Sequence, residues 1–150
     1  PVMLKWIVLA IPLAIIIALA VMSYLTRENP ISTQSNPQLQ PCPGTPNCVS
    51  SLARDTDFFI EPLSLSKNNP DHSWQRIAEI VVSLGGEIVR QDERYLHAVF
   101  TSSVFRFRDD LELVLEQDYI DVRSASRAGK SDLGKNRERV EKLRATFAAR

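Results

Sequence analysis

The sequence predicts an α+β domain behind one N-terminal transmembrane helix: an antiparallel meander sheet of four to five strands with two helices packed on one face. Three patterns lead there. Residues 6–25 carry no charge and are dominated by Ile, Leu, Val and Ala. Between residues 87 and 125 apolar and polar residues alternate with a period of two, as half-buried antiparallel strands require. Two other segments, 70–84 and about 133–148, carry apolar residues at helical spacing instead. With 150 residues, 44% of them apolar, the chain has room for one modest core beside the membrane segment.

The first helix has about the ~20 residues needed to cross a hydrocarbon core. Trp6 and Tyr24 stand where interfacial aromatics belong, and Pro12 is tolerated in such a helix. A cleaved signal peptide is the alternative, because Ala18-Leu19-Ala20 is a small-x-small pattern and Lys5 supplies a short positive region. The apolar run continues through Val21, Met22, Tyr24 and Leu25, which favours an uncleaved anchor over residues 1–28. Lys5 and Arg27 nearly cancel under the positive-inside rule. Orientation therefore rests on Cys42 and Cys48, whose short loop suits a disulfide in an oxidising compartment. The expected location is a bacterial inner membrane, single-pass, with the soluble domain in the periplasm and the lipid bilayer as a partner through residues 6–25.

Residues 29–53 carry no charge and are punctuated by Pro30, Pro37, Pro41, Pro43 and Pro46. This composition predicts an extended spacer, containing the cysteine loop, that holds a globular domain at 54–150 away from the bilayer. Residues 58–65 then read as an edge strand with Phe58, Ile60 and Leu63 inward, Pro62 excluding a central position. Asn69-Pro70-Asp71 supplies a cap, a first-turn proline and a first-turn acid. A helix follows with Trp74, Ile77, Val81 and Leu84 on one stripe, and Gly85-Gly86 ends it.

Strands begin at Ile88-Val89. In the next, Leu96, Ala98 and Phe100 alternate with Tyr95, His97 and Val99. Phe105 and Phe107 alternate with Arg106 and Arg108, Leu111, Leu113 and Leu115 with Glu112 and Glu116, and Ile120 and Val122 with Asp121 and Arg123. One face is apolar; the other reads as a solvated face with cross-strand ion pairs. The last helix is expected to place Leu133, Val140, Leu143 and Phe147 on one stripe.

Residues 123–137 concentrate the polar chemistry. Gly129 and Gly134 permit tight turns, Ser124 and Ser126 offer hydroxyls, and Asp132 is placed to cap the final helix. Arg123, Arg127 and Arg137 suit an anionic group or an internal carboxylate held in two-pronged geometry. Asn136 falls on the apolar stripe, so its amide should point inward and find partners. Asp109 and Asp110 are the nearby acids. Being adjacent in a strand they face opposite ways, which argues against a shared catalytic role.

The net charge is zero, so no nucleic-acid partner is expected. The cysteines lack C-x-x-C spacing, the two histidines, His72 and His97, belong to different elements, and no G-x-S-x-G, phosphate-cradling glycine loop or H-E-x-x-H occurs. No metal and no cofactor is expected.

Cys42-Pro43 through Pro46-Asn47-Cys48-Val49-Ser50-Ser51, Tyr95-Leu96-His97-Ala98, Phe105-Arg106-Phe107 before Asp109-Asp110, and the 123–137 run with its Gly129, Asp132, Gly134, Asn136 and Arg137 together resemble the family called domain of unknown function 1499. The resemblance spans roughly residues 42–147. It implies one domain in a membrane-anchored or exported protein, with the cysteine loop at its entrance, and it implies no catalytic role for any residue.

The functional expectation is a membrane-anchored envelope module that binds a partner protein or a small anionic ligand through Arg123, Ser124, Ser126, Arg127, Asp132, Asn136, Arg137, Asp109 and Asp110, without catalysis. Two alternatives stand beside it: an envelope hydrolase using Asp109 or Asp110 with His97, and a purely structural envelope protein in which these residues hold the fold.

Overall fold

A computed structural model describes residues 2–27, 37–65 and 70–149. The Asn69 cap, the side chains of Lys5, Pro70 and Asp71, and the part of the spacer at 29–36 lie outside the described residues. The elements are α1 (Val2–Leu25), β1 (Cys48–Ser50), β2 (Leu63–Ser64), α2 (Pro70–Ser83), β3 (Glu87–Gln91), β4 (Tyr95–Thr101), β5 (Arg108–Leu115), β6 (Tyr119–Ser126) and α3 (Lys135–Ala148). The fold is α+β, as its periodicities predict.

Strands β3 to β6 form the antiparallel meander, in the order β1-β6-β5-β4-β3, and β2 also pairs with β6. The sheet thus has six strands, because two short ones share one edge of β6. Cys48 pairs with Ala125 and Ser50 with Arg123, so pairing starts N-terminal to residue 54. Of the segment 58–65 only Leu63–Ser64 is strand, with Phe59 making a single parallel bridge to Ser50.

The alternation places one row of each strand in the core. Leu96 pairs with Leu113 and Leu113 with Val122, and all three join Trp74, Ile77 and Val81 of α2 and Val140, Leu143 and Phe147 of α3 in one buried cluster. Helix α3 contacts β6 and β1, while α2 contacts β3 and α3. Leu84 lies just past the end of α2 and packs on that cluster partly buried. Gly86 follows where a Cβ would stand 2.8 Å from Val81 Cγ1 and 2.9 Å from Phe100 Cζ, so a larger residue there would push the helix from the sheet.

Three expectations require correction. Phe105 and Phe107 are not strand residues: Ser102 and Phe107 close the β4–β5 connection through the hydrogen bond from Ser102 N to Phe107 O (2.8 Å), and Arg106 turns with φ 58°. The F-R-F-R alternation imitates a strand inside a turn, which removes Arg106 from the polar face. Leu133 is 91% exposed, because α3 starts two residues later and Leu133 precedes it with φ 55°. The second sheet face is buried and not solvated: Tyr95, His97, Val99, Asp110 and Glu112 are all buried.

Ser23 and Leu39 are buried as well, as is Pro37, although none belongs to the main core. The end of α1 meets the domain through a hydrogen bond from Arg127 Nη1 to Thr26 O (3.2 Å). The exit of α1 and the β6–α3 connection are thus in contact.

Candidate functional site

The polar cluster forms where β6 hands over to α3. The connection reverses through Leu133 and Gly134, both with left-handed φ (55° and 80°). The Asp132 carboxylate accepts from Gly134 N (3.1 Å) and Asn136 N (2.7 Å), satisfying donors that the first turn of a helix leaves open. Asn136 is thereby aimed at the sheet, 1% exposed.

Its amide joins four segments. Oδ1 accepts from Ser124 Oγ (2.6 Å) and Arg139 Nη1 (2.5 Å). Nδ2 lies within hydrogen-bond distance of Asn47 O (3.1 Å), Ser126 Oγ (3.0 Å) and Asp132 Oδ2 (2.7 Å). Arg139 continues to Asp109 Oδ2 (2.6 Å) and lies 4.6 Å over the Phe100 ring. Asn47 donates to Gly129 O (2.8 Å). The cysteine loop, β6, the junction and α3 are thus tied through one buried amide. Just outside, Cys42 and Cys48 are disulfide-bonded; closing so short a loop contributes about 2–3 kcal/mol in the chain-entropy account.

Asp110 turns to the other face. Arg127 grips it with Nε on Oδ2 (2.8 Å) and Nη2 on Oδ1 (2.5 Å), and His97 Nε2 meets Oδ1 at 2.7 Å. Burial pushes the Asp110 carboxyl up, but the hydrogen bonds and charges of Arg127 and His97 outweigh it and hold it below its ordinary value of 3.8. Beside it, Glu112 accepts from Tyr95 Oη (2.8 Å) and Arg123 Nη1 (2.8 Å). Each buried carboxylate therefore has a guanidinium and a second ring donor, the condition under which burying charge is tolerated. His97 Nδ1 and Arg123 Nε have no hydrogen-bond partner among the described residues.

The residues singled out in the sequence fall into three places. Ser124, Ser126, Asp132, Asn136 and Asp109 converge on the α3 side. Arg123, Arg127 and Asp110 lie on the second face, and Arg137 stands apart, donating to the carbonyls of Asp57 (2.8 Å) and Phe59 (3.0 Å). Sequence reasoning missed Arg139 and Asn47. Arg139 was open to it, since a residue three after an inward Asn shares its helix face; Asn47 carries no such local signal.

Two clefts border the cluster. One, about 340 Å³, is lined by Leu19 and Met22 of α1 with Phe107, Asp109, Ser126 and Asp132 among others. The other, about 270 Å³, includes Cys48, Phe58, Asp132 and Arg137. His97 and Asp110 line neither, and both are buried, so their close contact is enclosed. Among the described residues there is no group of three or more His, Cys, Asp or Glu side chains that could hold a metal ion.

Tyr95 provides a test of the second face. Burial, then the charge of Glu112 and the hydrogen bond to it, push the Tyr95 phenol far above its ordinary value of 10.0. A raised pKa in the folded state means that stability is complete below the unfolded value and falls as pH rises past it. Denaturant unfolding should show stability declining above about pH 10. Tyr95→Phe should remove that part of the slope while costing about 1–2 kcal/mol at neutral pH, because Glu112 loses a donor.

An apolar N-terminal helix of which Val8–Leu25 is long and apolar enough to cross a membrane, followed by a disulfide-closed α+β domain, is a pattern that fits membrane-anchored or exported modules. Within it, the chain belongs to the family described as protein of unknown function (DUF1499), whose sequence profile matches residues 38–147. The match covers the cysteine loop and every element after α1. No curated protein and no solved structure matches the chain.

Proposed function

We propose that the protein is a single-pass, inner-membrane module whose domain works in the periplasm, binds a partner there and performs no catalysis. The observation that carries this reading is the cleft at the α1 exit, walled jointly by Leu19 and Met22 and by the cluster residues Asp109, Ser126 and Asp132. Asn136 and Arg139 hold that wall in place through Ser126, Asp132 and Asp109, which form part of the contact surface. Arg123, Arg127 and Arg139 already face Glu112, Asp110 and Asp109, so capture of a small anion would require an arginine to exchange a buried carboxylate for it. Two carboxylates against one cation, Lys135, in the cleft wall favour a macromolecular partner over a free anion. The hydrolase alternative gains the His97–Asp110 contact at 2.7 Å, but both groups are buried and Asp109 faces away from them.

In bacterial cells the full chain should stay with the membrane pellet after an alkaline wash, and its domain should be digested when protease is added to spheroplasts. Cys42 and Cys48 should resist alkylation until reduced. A soluble product lacking α1, or cysteines alkylated without reductant, would overturn the anchored, periplasmic reading.

A further inference from the structure

The two ends of the sheet differ in charge and in apolar exposure. At one end the β3–β4 and β5–β6 connections carry Asp92, Glu93, Glu116 and Asp118 against Arg94, with Tyr119 alone exposed beside them, by 38%. At the other, the β4–β5 connection exposes Val104 by 77% and Phe105 by 39%. The β6–α3 connection beside it exposes Leu133 almost completely. Two exposed cations, Arg106 and Lys130, stand with them. Arg106 and Leu133 are also held in left-handed backbone conformations, which residues with side chains adopt only where the surroundings impose it. Apolar side chains grouped at one end and rimmed by cations mark a contact surface.

Helix α1 arrives at this same end. Thr26 O is bound by Arg127, and Leu19 and Met22 line a cleft with Phe107 and Gly129 and with the charged Asp109, Asp132 and Lys135. Leu19 lies about 9 Å along the helix axis from Leu25, inside the apolar stretch Val8–Leu25. The headgroup layer on each side of a bilayer is roughly 5–8 Å thick. With Leu25 at the outer edge of that layer, a surface packed beside Leu19 and Met22 reaches through it to the acyl boundary. Arg27, stacked 5.2 Å from the Tyr24 ring, adds the aromatic and cation that such a depth favours.

We propose that this end of the domain rests in the headgroup layer of the phospholipid bilayer, with Val104, Phe105 and Leu133 at the acyl boundary and Arg106 and Lys130 at the lipid phosphates. The proposal rests on α1 spanning the membrane. It makes the domain a partly embedded body with its acidic end turned to water, and it adds a second, non-helical attachment to the anchor.

The test uses the full chain in vesicles of phosphatidylethanolamine and phosphatidylglycerol, with a nitroxide placed singly by Val104→Cys, Glu93→Cys or Ile15→Cys. Collisions with oxygen and with a water-soluble nickel chelate report depth. The expected result is a shift towards oxygen at position 104, smaller than that at 15, while position 93, at the far end of β4, stays open to the chelate. Equal chelate access at 104 and 93 with position 15 still shielded would overturn the proposal and leave the anchor standing. Chelate access at 15 would overturn both.

Discussion

Replacing Arg127 by alanine is expected to lower the stability of the fold by about 3–5 kcal/mol, the range for removing one partner of a buried ion pair. The side chains of Arg127 and Asp110 are only 7% and 9% exposed, so solvent does little to replace the lost guanidinium. Asp110 would be left with His97 alone. Arg127→Lys should recover part of the loss, since the charge returns but the two-pronged grip does not. Denaturant unfolding of the full chain in detergent micelles measures both, and a loss below about 1 kcal/mol would mean that the pair is worth no more than an exposed one. The same pair sets an acid limit. Because the folded pKa of Asp110 is lowered, its contribution is complete above the unfolded value and is lost as pH falls below about 3.8 through the folded value. Asp110→Asn should flatten that acid slope.

Asn136→Ala should cost about 3 kcal/mol by the same measurement. It strips Asn47 O and the hydroxyls of Ser124 and Ser126 of a buried partner, at about 1–3 kcal/mol for each group left unpaired, reduced by whatever water or rearrangement restores. Ser124→Ala alone should cost less. The two changes together should cost less than their sum, by an interaction energy of about 0.5–3 kcal/mol, because they share one hydrogen bond and one arginine. Strict additivity would show that Asn136 acts separately on each neighbour.

Much of the architecture was legible in the sequence because two periodicities carried it. Leu96, Leu113 and Val122 announced the inner row, and Val140, Leu143 and Phe147 the last helix, by spacing alone. What spacing could not carry was what lies on the other side of the sheet. His97, Asp110 and Glu112 alternate as solvent-facing residues do, and their burial depends on long-range pairing with Arg123 and Arg127 across neighbouring strands. The β4–β5 turn failed for a local reason, since Phe105-Arg106-Phe107-Arg108 satisfies the strand pattern and only the positive φ at Arg106 breaks it. Asn136 was readable because an amide on an apolar stripe has to be satisfied. Its partner Asn47, 89 residues away, was not.

The bond from Arg127 to the carbonyl of Thr26 changes what the proline-rich stretch can do. Fully extended at about 3.1 Å per residue, the 29–41 stretch ahead of the disulfide loop would let a loose domain sweep a hemisphere of roughly 40 Å radius. With its near end fastened at the last turn of α1, that search volume collapses. On the anchored reading proposed above, the domain would travel with its helix and meet its partner by lateral diffusion in two dimensions.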